Sequence, residues 1–216
     1  ELRRYQQGPL RVSAVAQSNT RMKCDAEFCG DVPFGGTVDI SSSTTTFQMD
    51  TIIPILVTTP VPVTPYTHMI AAYLEQLASA QPANFNSKAI LAAGDGLSQF
   101  TGFPVLATPA VDVTDSAKFV AAERDQQLAG LLGAAVVKIS NSSSLPLAKV
   151  LEQLARSYQN GRFDADDEVS INTLLTAWRE LSMDPQLLKL ATASDKDVLG
   201  LLKSQIQDVA FRCQAS

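Results

Sequence analysis

Residues 52–77 read IIPILVTTPVPVTPYTHMIAAYLEQL, and within this stretch the patterning of the chain changes from strand to helix. The first half is rich in β-branched residues and is broken by Pro54, Pro60 and Pro62. Prolines at this density suit extended edge structure and exclude a membrane-spanning helix. In the second half, large apolar side chains recur at the spacing of one helical face: Met69, Ile70, Tyr73, Leu74 and Leu77. The stretch therefore predicts a β-rich N-terminal region that passes directly into a helix.

Residues 32–63 form the predicted β-region. They are dense in Thr, Ser, Val and Ile, and Gly35-Gly36 supplies a turn signal. Residues 37–40 (TVDI) alternate polar and apolar side chains, as a half-buried strand does. We expect two or three antiparallel strands here. At the start of the following helix, both Thr64 and Thr67 are suitable N-caps, and Pro65 fits the first turn.

Three short apolar segments follow, and each predicts a strand of a central α/β layer. They are residues 88–93 (KAILAA), 104–113 (PVLATPAVDV) and 134–139 (AAVVKI). The first is followed by Gly-Asp-Gly at 94–96, which is typical of a turn. Helices are expected over about residues 115–132 and 146–158.

Only helices are predicted after Asn160-Gly161, a turn signal. Two apolar stripes mark them: Ile171, Leu174, Leu175, Trp178 and Leu181, then Val198, Leu199, Leu202, Ile206 and Val209. The expected fold class is mixed, or α+β, with a β-rich N-terminal region, a central α/β layer of about three strands and C-terminal amphipathic helices. The expected organisation is a basic N-terminal arm (1–31), a β then α/β core (32–160) and a helical segment packed on that core (161–216).

The balance of charge narrows the possible partners. Of 216 residues, 45% are hydrophobic and only 18% are charged, a composition typical of a globular protein whose surface contacts other proteins. The net charge of -5 disfavours nucleic acid as a general partner. The exception is the predicted basic arm, whose Arg3, Arg4 and Arg11 suit a phosphate-bearing polymer or surface.

The composition of the first residues bears on localisation. Residues 1–23 hold five basic side chains and one acid, Glu1, among Gln, Ser, Ala and Val. This resembles the composition around an organellar transit-peptide cleavage site, which would place the protein in a mitochondrion or plastid. An ordinary basic arm, or one that lies along RNA inside a virion, fits the same residues.

The chain has a single histidine, His68, and this excludes many catalytic and metal sites. Triads with a histidine base and two-histidine metal sites lack the imidazoles they need. His68 itself is expected to be exposed or to cap a helix. Cys24, Cys29 and Cys213 lack zinc-site spacing, so no metal or cofactor is expected. Cys24 and Cys29 either close a small disulfide loop or stay free thiols, and the free thiols are favoured.

Histidine-free catalysis is possible with a hydroxyl nucleophile and a lysine base. Thr67 opens an Ala-rich helix, a segment ending in Ala-Gly follows, and Lys118 opens a second helix. Residues 64–118 thereby resemble the serine–lysine peptidases of the Lon type and the birnavirus processing proteases. The resemblance implies Thr67 as nucleophile and Lys118 as base, and Ser98 with Lys138 is a rival pair. The chain departs from that pattern because Thr67 stands where the family has serine.

The main functional hypothesis is a non-catalytic structural or assembly subunit of a virion, a filament or an organellar complex. It accounts for the low charge density, the Pro-rich edge strands that a neighbour would complete, and the amphipathic C-terminal helices. Its partners are other protein subunits, in a homo- or hetero-oligomer. The candidate interface residues lie on the last two stripes: Trp178, Leu202, Ile206 and Val209. The alternative function is the histidine-independent Ser/Thr-Lys peptidase.

Overall fold

The computed structural model describes residues 8–41, 47–55, 59–158, 161 and 168–214. The fold is mixed, with 56% helix, 12% strand and small antiparallel sheets at the N-terminal end, so the predicted fold class is confirmed. The strands are β1 (Leu10–Val15), β2 (Arg21–Lys23), β3 (Phe28–Cys29), β4 (Val32–Pro33), β5 (Thr37–Asp39) and β6 (Gln48–Ile53). The helices are α1 (Pro65–Ala80), α2 (Ser87–Thr101), α3 (Ser116–Ala121), α4 (Arg124–Ser143), α5 (Leu147–Arg156), α6 (Glu168–Leu181), α7 (Pro185–Ala193) and α8 (Val198–Gln214).

The strands form three antiparallel pairs within these ranges: β1 with β6, β2 with β5, and β3 with β4. In the longest pair, Leu10 lies opposite Ile53 and Val15 lies opposite Gln48. Strand β6 is buried from Asp50 onward, whereas β1 is mostly exposed. The sheet therefore packs through β6 and leaves β1 at the surface.

Helix α1 begins where the proline-rich stretch ends, as predicted. The hydroxyl of Thr64 accepts a hydrogen bond from the backbone N–H of Thr67, and the hydroxyl of Thr67 accepts one from the N–H of Thr64. The two threonines thus form a reciprocal capping box, and Pro65 occupies the first turn. Both of the N-cap candidates therefore take part in the cap.

The three predicted central strands were wrong. Residues 88–93 lie in helix α2 and residues 134–139 in helix α4, while no strand is assigned over residues 104–113. Asn86 caps α2, since its side chain accepts hydrogen bonds from the N–H groups of Lys88 and Ala89. The β-branched Val136, Val137 and Ile139 stay helical because the middle of α4, over residues 127–139, is almost entirely buried, and packing there overrides a weak strand propensity.

The Gly-Asp-Gly segment predicted as a turn lies inside helix α2 instead. A Cβ added at Gly94 would lie 2.5 Å from Cδ1 of Leu106. At Gly96 an added Cβ would lie 3.0 Å from the hydroxyl of Tyr158. The two glycines therefore let neighbouring segments approach the helix closely, which outweighs their helix-weakening effect.

The apolar stripes of the C-terminal helices are buried as a core, which includes Ile171, Leu174 and Trp178 on α6 and Val198 and Leu202 on α8. One cluster of buried apolar side chains runs from Ile52 in β6 to Val209 in α8. The C-terminal helices and the helices before residue 160 therefore share a single hydrophobic core. The predicted boundaries at residues 31 and 160 stay predictions.

The segment predicted as a basic arm contains regular structure from Leu10 onward. It holds strands β1, β2 and β3 and the disulfide between Cys24 and Cys29, whose Cα atoms are 5.6 Å apart. The structure thus selects the disulfide over the favoured free thiols. Arg3 and Arg4 lie outside the described residues.

Candidate functional site

The first predicted catalytic pair is not assembled. The Thr67 hydroxyl is fully buried and is hydrogen-bonded to Thr64 and to the carbonyl of Asp50, at 3.3 Å from the latter. The Lys118 side chain is 74% exposed and pairs with the carboxylate of Asp115 at 3.0 Å. Asp115 raises the pKa of Lys118, which is the opposite of what a lysine base requires. Thr67 is a capping residue, and Lys118 is a solvated surface charge.

The rival catalytic pair, Ser98 and Lys138, is not assembled either. The Ser98 hydroxyl donates to the carbonyl of Gly94 at 2.6 Å and accepts from the backbone N–H of Val105 at 3.0 Å. The ammonium of Lys138 lies 3.5 Å from the carboxylate of Glu180 on α6. Each side chain of the pair therefore has its own structural partner.

The four candidate interface residues lie in the chain's own core. Trp178 is 0% exposed, and Leu202, Ile206 and Val209 are buried in the same apolar cluster. Their apolar surface is thus already buried within the chain. None of the four side chains is exposed for contact with a partner, as the interface prediction requires. An apolar helical stripe has the same sequence pattern whether it packs inside a chain or against a partner.

A cluster of polar side chains lies where β1 and β6 meet helix α1. Arg11 on β1 makes a bidentate contact with Asp50 on β6, at 3.2 and 2.9 Å, and a second ion pair of 2.5 Å with Glu75 on α1. Gln48 donates to both carboxylate oxygens of Asp50 at 3.0 Å. We call Arg11, Gln48, Asp50, His68 and Glu75 the Asp50 cluster.

A cleft of about 410 Å³ opens beside the Asp50 cluster and is bounded on its far side by α5. The α5 charges at this cleft are paired with one another, since Glu152 contacts Lys149 at 2.7 Å and also binds Arg156. The cleft therefore presents mixed charges that are already neutralised within the chain. This arrangement suits a structural tie between β1 and the helices better than a ligand site.

Burial and hydrogen bonding compete at Asp50. Burial opposes its ionisation, but hydrogen bonds from Arg11, Ser13 and Gln48 outweigh burial and lower the pKa of Asp50. The same contact raises the pKa of Arg11. Asp50 is therefore a carboxylate at neutral pH. The only large free-energy cost of its buried charge is desolvation, and the hydrogen bonds from the three donors offset that cost.

His68 is largely buried, with 18% of its side chain accessible, and the cap of α1 is formed by Thr64 and Thr67, so His68 takes neither the exposed nor the capping position expected. Its Nδ1 accepts a hydrogen bond from the backbone N–H of Asp50 at 3.2 Å, so the ring proton lies on Nε2. Burial lowers the pKa of His68 despite the nearby carboxylates, which keeps the ring neutral. In a catalytic triad Nδ1 donates to the aspartate, so this pair is not a triad element.

Replacing Asp50 with asparagine is expected to lower the free energy of unfolding by about 1–2 kcal/mol at pH 7, because Arg11 loses a bidentate partner. The folded-state pKa of Asp50 lies below its unfolded value of 3.8. Its contribution is therefore complete above pH 3.8 and is lost as the pH falls through the folded-state pKa. Urea unfolding at pH 7 and pH 3 checks this. Glu152→Gln on α5, the matched control, removes a solvent-screened surface ion pair and is expected to leave stability nearly unchanged, and equal losses in the two variants would contradict the prediction.

The backbone of Asp50 also fixes which edge of the sheet is open. Its N–H donates to His68, and its carbonyl accepts from Thr67, so both groups point toward α1 and away from β1. Asp50 and the opposite Ser13 are thus a non-hydrogen-bonded pair. The N–H of Ala16 donates to the carbonyl of Phe47, which agrees with this alternation. It follows that Arg11, Ser13 and Val15 turn their backbone groups away from β6.

That outer edge of β1 has no strand beside it in the part of the chain that the structure describes. Soluble proteins usually protect such an edge with lysine, proline or a bulge. Residues 12–15 (VSAV) carry none of these side chains, and Val15 is 40% exposed. The guanidinium of Arg11 is paired with Asp50 and Glu75, so its charge does not protect the edge from pairing with another strand either.

Sequence reasoning missed the Asp50 cluster, although one signal was present. Asp50 is a lone acid inside a β-branched segment, where a charge needs a partner if it is buried. The partner could not be named, because Arg11 lies 39 positions earlier in the chain. The local composition places Arg11 in a basic arm instead.

No known protein family, curated protein or solved structure matches this chain. Among the described residues, no three His, Cys, Asp or Glu side chains are grouped so as to hold a metal ion. Within the same residues, no single helix has both the length and the apolar character needed to cross a membrane; α4 and α5 meet that test only when taken together across a 111° bend.

Proposed function

We propose that this chain is a non-catalytic assembly subunit that binds another protein chain by strand addition at the outer edge of β1. The open edge formed by Arg11, Ser13 and Val15 is the observation that supports the proposal. An extended partner segment gains backbone hydrogen bonds along such an edge, whatever its side chains. This mode of contact fits each of the assemblies considered from the sequence, a virion, a filament or an organellar complex.

The Asp50 cluster supports the proposal in a second way, because it holds β1 in place before a partner arrives. Arg11 links β1 to β6 through Asp50 and to α1 through Glu75. A strand that is already fixed loses little conformational entropy on binding. The edge is therefore preorganised for pairing.

The peptidase alternative gains no support from the contacts of its residues. The hydroxyls of Thr67 and Ser98 are hydrogen-bonded to helix-cap and backbone groups. Lys118 and Lys138 are each paired with a carboxylate. A hydroxyl nucleophile needs an adjacent base with a lowered pKa. Assembly is the function we retain.

Site-specific photo-crosslinking tests the proposal whatever the identity of the partner. The photoreactive residue p-benzoylphenylalanine would replace Val15 on the β1 edge and, as a control, Lys189 on the exposed surface of α7. After irradiation in the cells that naturally produce the protein, we expect a covalent adduct of higher mass at Val15 and none above background at Lys189.

A variant that lacks one backbone N–H donor tests whether the adduct depends on strand addition. Ser13→Pro removes one outward N–H donor and leaves the β1–β6 ladder intact, so we expect the adduct to fall at least fivefold. Ser13→Ala keeps the N–H and should keep the adduct. The proposal fails if Val15 gives no adduct, or if Ser13→Pro leaves the yield unchanged.

A further inference from the structure

We infer that the strand added at the β1 edge is β1 of a second copy of this chain, which runs antiparallel across a two-fold axis at Ser13. This inference rests on the proposed function, since it names the partner of the same edge. It follows from the alternation of backbone groups along β1 and from the match between the strand and its own reverse.

The outward backbone groups select the register. Only Arg11, Ser13 and Val15 offer an N–H and a carbonyl to the partner. When Ser13 faces Ser13 of the second copy, Arg11 faces Val15 and Val15 faces Arg11, which gives about six backbone hydrogen bonds. A shift that centres the axis on Val12 would place Val15 opposite Pro9, which lacks an N–H.

The side chains are compatible in this register. Arg11 lies beside the Val15 of the second copy, and the two Arg11 side chains are displaced by four residues, or about 13 Å. On the opposite face, Val12 lies beside Ala14 of the second copy, an apolar pair in both directions. Like charges therefore never meet across the axis, and Arg11 remains paired with Asp50 and Glu75 in its own chain.

The pairing also completes a small sheet. Strands β1 and β6 form a two-stranded sheet among the described residues, which is near the lower limit of independent stability. Joining two copies gives a four-stranded antiparallel sheet in the order β6, β1, β1 and β6. The two copies of the exposed strand then cover each other's open edge.

Size exclusion with light scattering over a range of concentration measures the self-association. We expect the purified chain and Ser13→Ala to move from monomer to dimer mass as concentration rises, and Ser13→Pro to remain a monomer at least tenfold higher in concentration. Circular dichroism and thermal unfolding would show that Ser13→Pro is folded. A monomeric wild-type chain at every concentration would overturn the inference.

Disulfide trapping tests the register itself. In a Cys213→Ser background, Ser13→Cys places two thiols on the axis with Cα atoms about 5.5 Å apart, within disulfide range. Val15→Cys lies on the same edge, but its two copies are displaced by four residues, which is beyond that range. We expect mild oxidation to crosslink Ser13→Cys at least fivefold faster than Val15→Cys, and comparable rates would rule out this register.

The photo-crosslink separates failure of the inference from failure of the proposed function. An adduct of twice the chain mass at Val15 supports the second copy. An adduct of another mass, still lost in Ser13→Pro, overturns the second copy and keeps strand addition. The absence of any adduct at Val15 overturns both.

Discussion

Replacing Trp178 with alanine is expected to lower the free energy of unfolding by about 3–5 kcal/mol, the largest single effect we anticipate. Trp178 is completely buried, and its indole N–H donates to the Tyr66 hydroxyl at 3.2 Å. Tyr66 donates in turn to the carbonyl of Leu132 at 2.9 Å, and the Phe100 ring lies 5.1 Å from the indole. Trp178 thus joins α6 to α1, α4 and α2, and its removal leaves a large cavity at their meeting point.

Chemical denaturation followed by circular dichroism measures this loss, and two variants make the result specific. Trp178→Phe keeps a ring but loses the N–H donor, so it should cost less than alanine. Phe211→Ala removes a side chain that is 73% exposed, and a change below about 0.5 kcal/mol is expected. If Trp178→Ala left stability unchanged and weakened only an assembly, Trp178 would be an interface residue after all.

Replacing Asp25 with asparagine is expected to raise the free energy of unfolding by about 2 kcal/mol at pH 7. Asp25 lies inside the disulfide loop, and its Oδ1 is buried with no hydrogen-bond partner among the described residues. Burial raises the pKa of Asp25 to about 6, and the nearby Asp112 adds to the increase. A neutral amide avoids the cost of holding that charge away from water.

The predicted stabilisation by Asp25→Asn depends on pH, which distinguishes it from a general effect of the substitution. The pKa of Asp25 is about 6 in the folded chain, above the ordinary value of 3.8, so the folded state holds this proton more tightly. The stability contributed by Asp25 is therefore complete below pH 3.8 and is lost as the pH rises through about 6. We expect Asp25→Asn and the wild type to differ little at pH 4 and by the full amount at pH 7.

Urea unfolding of both proteins at several pH values measures the difference, and the other titrating groups cancel in the comparison. Asp31→Asn alters an exposed carboxylate in the neighbouring β-region and should leave the free energy of unfolding close to that of the wild type. A constant difference between pH 4 and pH 7, or a destabilised Asp25→Asn at pH 7, would contradict the prediction.

Local signals gave correct predictions where short-range chemistry dominates. The prolines and threonines at residues 60–67 predicted the start of α1, because a cap and a first-turn proline act within four residues. The stripe ending at Leu181 predicted α6, because a long helix repeats its pattern over several turns. The mixed fold class followed from these helical regions together with the β-rich composition of residues 32–63.

Other features depended on contacts that are distant in sequence. Residues 134–139 have strand-like composition, but they are helical because α4 is packed against other helices there. The meeting of Arg11 with Asp50 and Glu75, and the opening of the β1 edge, required β1 to pair with a strand more than thirty residues away.

The sequence by itself thus determined the start of α1, the apolar faces of the C-terminal helices and the absence of a second histidine, since these are properties of neighbouring residues or of composition. The tertiary structure alone decided which apolar stripes became core, which charges met and which strand edge stayed open. The physical reason is that burial, ion pairing and strand pairing join residues far apart in the chain. A local sequence pattern contains one residue of each such contact and does not identify the other.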